Sequence, residues 1–130
     1  MTWSDAAAAA ASLGGYLTTI NTKAENDWLT TEFYISPGTW IGANDRDTEN
    51  TWVWDNGTTS GDNGLTDDLC GTATNCRDSN AKWADNTDKW YLANPNDYSN
   101  NQDCGRIWQT NGQWDDDGCD NSNYAIIEFD

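Results

Sequence analysis

The chain has 130 residues, enough for one domain with a single core. It carries 22 acidic against 6 basic side chains, no histidine and a formal net charge of −16, which disfavours nucleic acid and anionic membranes as partners because both need a basic footprint. Nine Trp and five Tyr argue against the disorder that acidity alone would suggest, and no run of about 18 apolar residues is present to span a bilayer.

In chain order, Thr2-Trp3-Ser4-Asp5 reads as a helix start, with Asp5 placed three residues after Thr2 as in a capping box. The alanines that follow extend the helix, and Gly14-Gly15 stops it by supplying positive φ. Ala6–Ala11 is too short, and lacks the basic flank, to be a signal peptide. Met1 stands directly before this helix, so the chain reads as a domain cut from a longer protein. Tyr16-Leu17-Thr18-Thr19-Ile20 is a short strand. Thr22-Lys23-Ala24-Glu25 is a second capping box, opening a helix that carries Trp28, Leu29 and Phe33. Ser36-Pro37-Gly38 breaks the chain before a strand at Trp40-Ile41-Gly42-Ala43. Thr51-Trp52-Val53-Trp54 followed by Asp55-Asn56-Gly57 reads as strand and turn, with the tryptophans assigned to the core. The sequon Asn56-Gly57-Thr58 matters only in a eukaryotic secreted protein.

From Gly57 to Trp90 the chain is polar and rich in Gly, Asp, Asn and Thr. A loop of that length is functional, or is stabilised by something other than a core. Asp62, Asp67, Asp68, Asp78 and Asp85 are read as solvated charge. Then comes Asn94-Pro95-Asn96-Asp97-Tyr98-Ser99-Asn100-Asn101-Gln102-Asp103-Cys104, followed ten residues on by Trp114-Asp115-Asp116. Carboxylate and amide oxygens are what a hard cation needs, since Ca²⁺ takes about 6–8 oxygen ligands. Pro95 fixes its own φ and keeps Asn94 extended, so Asn94 and Asn96 can point to one side. The bland reading of such a cluster is a solvated loop. Tyr124–Phe129 is the closing strand. The four cysteines allow three pairings. A zinc site lacks both a Cys-x-x-Cys spacing and a histidine, so disulfides and an oxidising, extracytoplasmic location are expected.

Asn94-Pro95-Asn96, Asp103-Cys104, Trp114-Asp115-Asp116 and Cys119, with Trp40-Ile41-Gly42-Ala43 upstream, resemble the Glu-Pro-Asn, Glu-Asp-Cys, Trp-Asn-Asp, Cys and Trp-Ile-Gly-Leu signatures of C-type lectin-like domains. The resemblance runs from Thr2 to Phe129. It implies an α+β C-type lectin-like fold over residues 1–130: two helices flanking small antiparallel sheets, with a long calcium-ordered loop region at about 57–103. It implies a Cys104–Cys119 disulfide, leaving Cys70 and Cys76 to close a short loop of their own. The strand that precedes the first helix in the family has no counterpart here. Ala10 and Ile127 occupy the places of a family disulfide that is absent.

Two cation positions carry over. The primary one maps to Asn94, Asn96, Gln102, Asp115 and Asp116, and the second to Asp45, Glu49, Asp97, Asp103 and also Gln102. At the primary position Asn94 and Gln102 each replace a Glu, while Asp115 replaces an Asn. Two carboxylates and three amide oxygens then remain, a weaker calcium shell because affinity follows ligand charge. In the family, two neighbouring sugar hydroxyls coordinate the calcium, each giving one hydrogen bond to a carboxylate and taking one from an amide. A carboxylate only accepts, whereas an amide does both, so the exchanged residues keep one donor and one acceptor per hydroxyl. The resemblance therefore implies calcium-dependent carbohydrate binding by a secreted or cell-surface protein, an adhesin or a soluble lectin. The alternative is a protein- or ice-binding module in which calcium is only structural. A glycosidase needs a carboxyl with raised pKa at a defined separation from a second one. With no histidine, nucleophile elbow or phosphate loop, no enzyme is expected.

Overall fold

The structure is a computed structural model, which describes residues 1–20, 22–33, 38–49, 51–55, 81, 83, 85, 87–91, 95–97, 101–108 and 111–129. The chain forms helix α1 (Trp3–Ser12), strand β1 (Tyr16–Leu17), helix α2 (Lys23–Glu32) and strands β2 (Thr39–Asn44), β3 (Cys104–Ile107), β4 (Trp114–Asp117), β5 (Tyr124–Ala125) and β6 (Ile127–Glu128). This is the expected α+β arrangement of two helices and small sheets.

Both helices start where the caps place them. Thr2 Oγ1 accepts from the Asp5 N–H at 3.2 Å, and Thr22 Oγ1 from the Glu25 N–H at 3.1 Å, each satisfying a donor that has no partner inside its helix. Gly14 ends α1 with φ +84°, and its N–H donates to the Ala11 carbonyl. Ala6 and Ala10 are fully buried, so the alanine run serves packing as well as propensity. In α2 only Leu29 of the three expected apolar residues is buried, while Trp28 and Phe33 are exposed and stack edge-to-face on each other. Asn26 takes the inward place on that helix. Its amide nitrogen donates to the Gly112 carbonyl at 2.9 Å, and its oxygen accepts from Trp114 Nε1 at 3.0 Å. Gly112 has φ +86°, and a Cβ there would fall 2.5 Å from the Asn26 amide nitrogen, so this contact requires glycine.

The main sheet has the order β4-β3-β2-β5, and β1 pairs with β6 in a second, two-stranded sheet. The β2–β5 pair is parallel, unlike the antiparallel pairs β2–β3, β3–β4 and β1–β6. The closing segment is thus two short strands that serve different sheets, with Ile126 at the changeover. Its N–H donates to Trp40 O, and its carbonyl accepts from the Thr18 N–H. Thr51–Trp54 touches the sheet through a single bridge between Val53 and Asn44 and forms no strand of its own. Trp52 and Trp54 are nevertheless buried, as expected of core residues.

The core is largely aromatic. Trp114 is fully buried and meets Trp54, Trp83 and Trp90 edge-to-face at centroid distances of 5.8, 5.5 and 5.7 Å. Edge-to-face pairing places the positive ring edge against a negative ring face. This cluster lies directly behind the acidic strand β4. Cys104 and Cys119 form a disulfide with Cα atoms 5.3 Å apart, tying the start of β3 to the turn after β4. By the chain-entropy model a loop of that size contributes about 3 kcal/mol. Cys70 and Cys76 lie outside the described residues, as do Asn94, Asp62, Asp67, Asp68, Asp78, the sequon and most of the long polar stretch.

Glu128 fastens the small sheet. Its Oε2 accepts from the Thr19 N–H at 2.9 Å and from the Thr18 and Thr19 hydroxyls at 3.0 and 3.2 Å. Both threonines are buried. We expect Glu128→Ala to destabilise the fold by about 2–3 kcal/mol in urea titration, because those donors lose a charged acceptor without gaining water. A loss under 0.5 kcal/mol would show that they find other partners.

Candidate functional site

Three separated segments meet at one end of the main sheet: the residues after β2, the stretches 95–97 and 101–103, and β4. Asp45 follows β2 directly, and its N–H donates to the Asp103 carbonyl at 3.0 Å. That bond carries the post-β2 loop alongside the residue that precedes β3. Oxygens of Asp45, Glu49 and Asp103 thereby come within 4.8 Å of one another. Asp45 is buried, Asp103 half-buried and Glu49 exposed, so the group opens to solvent on one side. Asp103 Oδ1 is buried with no hydrogen-bond partner among the described residues. Burial first, and the charge of Asp97 second, push the Asp103 carboxyl above its ordinary range.

The second half of the site is built on Asp116, which is fully buried. Its Oδ1 accepts from the Asn96 N–H at 3.1 Å and its Oδ2 from the Asp97 N–H at 2.6 Å. Asp97 takes positive φ, +48°, which Asn and Asp tolerate better than most residues. Its Oδ1 accepts from the Gln102 N–H at 3.0 Å, closing the 97–102 span. Burial outweighs the two backbone donors and pushes Asp116 up to about 6, with the Asp115 charge adding to the rise.

The sequence matches the family model described as Lectin C-type domain over residues 1–129. The chain belongs to the C-type lectin domain family.

A perlucin-like protein from Mytilus galloprovincialis is 30% identical over 130 residues, covering 96% of this chain and 67% of that protein. Lectin BRA-3 from Megabalanus rosa is 34% identical over 127 residues, covering 94% of this chain and 62% of that protein. The lectin domain thus spans roughly two thirds of the length of these relatives. Among solved structures, the C-type lectin CEL-I from Cucumaria echinata is similar with a TM-score of 0.72 and 18% identity, covering all of this chain and 85% of that one. A calcium-independent type II antifreeze protein is similar with a TM-score of 0.65 and 23% identity, covering 98% and 76%. These likenesses show the fold. The family generally binds calcium, and its lectin members are carbohydrate-binding, non-enzymatic proteins.

Of the residues expected at the second cation position, Asp45, Glu49 and Asp103 come together. Asp97 lies beside them, acting on Asp103 through its charge. Of the primary set, Asp116 contacts the backbone of Asn96, while Gln102 is held through its N–H by Asp97. Asp115 is buried, and its Oδ2 accepts from Arg106 Nη2 at 3.1 Å. Burial raises its carboxyl, and the adjacent guanidinium opposes that rise. Asp85, expected to be plain surface charge, pairs with Lys23 at 2.8 Å, which holds its carboxyl down at about 2 with help from Thr87.

Sequence reading missed two residues of this lectin domain. Arg106 and Asp117 belong to the acidic strand's hydrogen-bond network, and Arg106 Nη1 lies 3.0 Å from Asp117 Oδ2. Their signal was the third aspartate in Trp114-Asp115-Asp116-Asp117 together with an arginine two residues after Cys104. Without the β3–β4 register these could not be joined.

Proposed function

We propose that this domain binds carbohydrate in a calcium-dependent manner, through neighbouring sugar hydroxyls that meet the metal directly. The observation that carries this reading is the convergence of Asp45, Glu49 and Asp103 from separate segments, their oxygens within 4.8 Å. Calcium–oxygen bonds of about 2.3–2.6 Å put ligands on opposite sides of the ion about 4.6–5.2 Å apart, so the spacing suits that ion. The partnerless buried oxygen of Asp103 adds to the fit.

Asp45, Glu49, Asp97 and Asp103 would hold one ion. Asn94, Asn96, Gln102, Asp115 and Asp116 would hold the ion that meets the sugar. Bound calcium supplies a Lewis-acidic site for a vicinal diol. The chain's own task is orientation: Asp116 fixes the 96–97 backbone, the Gln102 amide would donate and Asp115 accept at one hydroxyl, and the Asn96 amide would donate and the Asn94 oxygen accept at the other. The Cys104–Cys119 disulfide supports an extracellular or cell-surface setting. Among the described residues no helix is long and apolar enough to cross a membrane.

A second reading keeps calcium structural and gives the surface to a protein or ice partner. It is favoured by Arg106, which already occupies one oxygen of Asp115.

Retention on a monosaccharide-coupled resin separates the two. We expect binding in calcium and release by EDTA, and loss of binding in an Asn96→Ala, Asp116→Asn double variant. Retention that survives EDTA, or a glycan array with no bound sugar, would sink the carbohydrate reading. For calcium itself, a free concentration about a hundredfold above Kd adds about 2.7 kcal/mol and raises Tm by about 10 °C. Identical melts with and without chelator would remove the metal from the account.

A further inference from the structure

Arg106 stands on β3 directly opposite Asp115 of β4. Its Nη2 donates to Asp115 Oδ2 at 3.1 Å, while its Nη1 lies 3.0 Å from Asp117 Oδ2 and donates to Asn123 Oδ1 at 3.3 Å. The head of the side chain lies over the Trp108 ring, 5.6 Å from its centroid. A Cβ at Gly38 would come 3.1 Å from the Arg106 Cδ, so the stem is packed as closely as the head. Asp117 is held from its other side by the amide nitrogens of Asn121 and Asn123, at 2.9 and 3.2 Å. The guanidinium is therefore a fixed charge, built into the sheet beside three successive buried carboxylates.

We propose that Arg106 is an internal counter-ion that sorts the acidic residues of this domain into two classes. Asp115 and Asp117 share that one positive charge, Asp117 with further donors from Asn121 and Asn123, and fold without metal. The Asp45, Glu49 and Asp103 group, where the Arg46 charge acts on Asp103, takes the tighter cation step. With Oδ2 engaged by Arg106, Asp115 has at most Oδ1 to offer a metal, and the nearby positive charge lowers the affinity of the Asp115–Asp116 end for any cation. Arg106 thus acts as a positioning residue that sets how strongly the primary site takes calcium, without touching metal or sugar. This inference rests on the calcium reading above.

Calcium titration by calorimetry, paired with thermal melts of wild type, Arg106→Gln and Arg106→Lys, tests it. Removing the guanidinium should lower the Tm of the metal-free protein. The same change should tighten the weaker calcium step about tenfold, from removal of one nearby positive charge, so the calcium-induced rise in Tm exceeds that of wild type. Arg106→Lys should fall between the two, because a point ammonium satisfies one carboxylate where a guanidinium fork satisfies two. Equal losses of Tm with and without calcium, and an unchanged titration, would make Arg106 ordinary cross-strand packing and overturn the proposal. Should Arg106→Gln fail to fold in chelator, recovery in millimolar calcium supports the proposal and failure in both conditions overturns it. Wild-type protein that takes up no calcium defeats the reading in the preceding subsection. The Arg106 proposal then stands if Arg106→Gln gains calcium uptake, and falls if it does not.

Discussion

Replacing Trp114 by alanine is expected to cost about 5 kcal/mol, a large share of what holds the domain folded. Truncating a buried tryptophan ordinarily costs about 3–5 kcal/mol. Here the ring also donates to Asn26 Oδ1, so its removal leaves a buried acceptor unpaired. Three edge-to-face partners lose their contact at once. Total stability of a domain this size is about 5–15 kcal/mol, so one such change consumes a large share. Trp114→Phe keeps a ring in place but gives up the indole N–H and part of the buried ring volume, and should cost less, about 2–3 kcal/mol. Urea titration followed by far-UV circular dichroism reads both. If Trp114→Ala were to lose less than about 2 kcal/mol, the four tryptophans would not be one packed unit. The prediction bears on function because β4 carries Trp114 into the core and Asp115 and Asp116 into the site. A strand whose anchor is lost holds neither carboxylate in place.

The parts of this fold that were legible from sequence are those decided by near neighbours. Thr2 and Thr22 cap helices because the donor each satisfies is three residues away. Gly14 ends α1 because positive φ is a property of one residue. Donor chemistry marked the amide-rich stretch before Cys104 and the acidic stretch after Trp40 as candidates for a cation, and of those residues Asp45, Glu49 and Asp103 come together. What stayed hidden depends on register between distant strands. Arg106 faces Asp115 only once β3 and β4 are paired, and nothing local marks Tyr124–Glu128 as two strands in two sheets. The inward face of α2 was misleading for a related reason. Residues 28, 29 and 33 do not lie along one helical stripe, and the side chain that Trp114 needs opposite its N–H is an amide, Asn26, rather than a hydrocarbon.

Metal-free protein is expected to lose stability as pH rises from 5 to 7, and calcium should reverse that trend. Asp116 is the group responsible, with its carboxyl raised to about 6 chiefly by burial. Its unfolded value is about 3.9. A group whose folded pKa exceeds its unfolded one favours the fold when protonated. Its contribution is complete below about pH 4 and is lost as pH rises through 6. The full size is on the order of 2–3 kcal/mol, from about 1.4 kcal/mol for each pH unit between the two values, and about half of it falls between pH 5 and 7. Asp103 and Asp115, also raised, act in the same direction. Asp85 has the opposite sign, but its contribution is lost only as pH falls towards 2, outside this window. Calcium requires the ionised carboxylate, so it binds most strongly above pH 6 and little at pH 5. Melts in EDTA should therefore give a falling Tm between pH 5 and 7, while melts in millimolar calcium give a flat or rising one. General charge repulsion in so acidic a chain also lowers Tm with pH, so the decisive quantity is the difference between wild type and Asp116→Asn. The amide variant does not titrate, and should have a shallower pH slope in EDTA and a weaker calcium response. If wild type and Asp116→Asn have the same slope in EDTA, the buried carboxylate of β4 is not what couples protons to this fold.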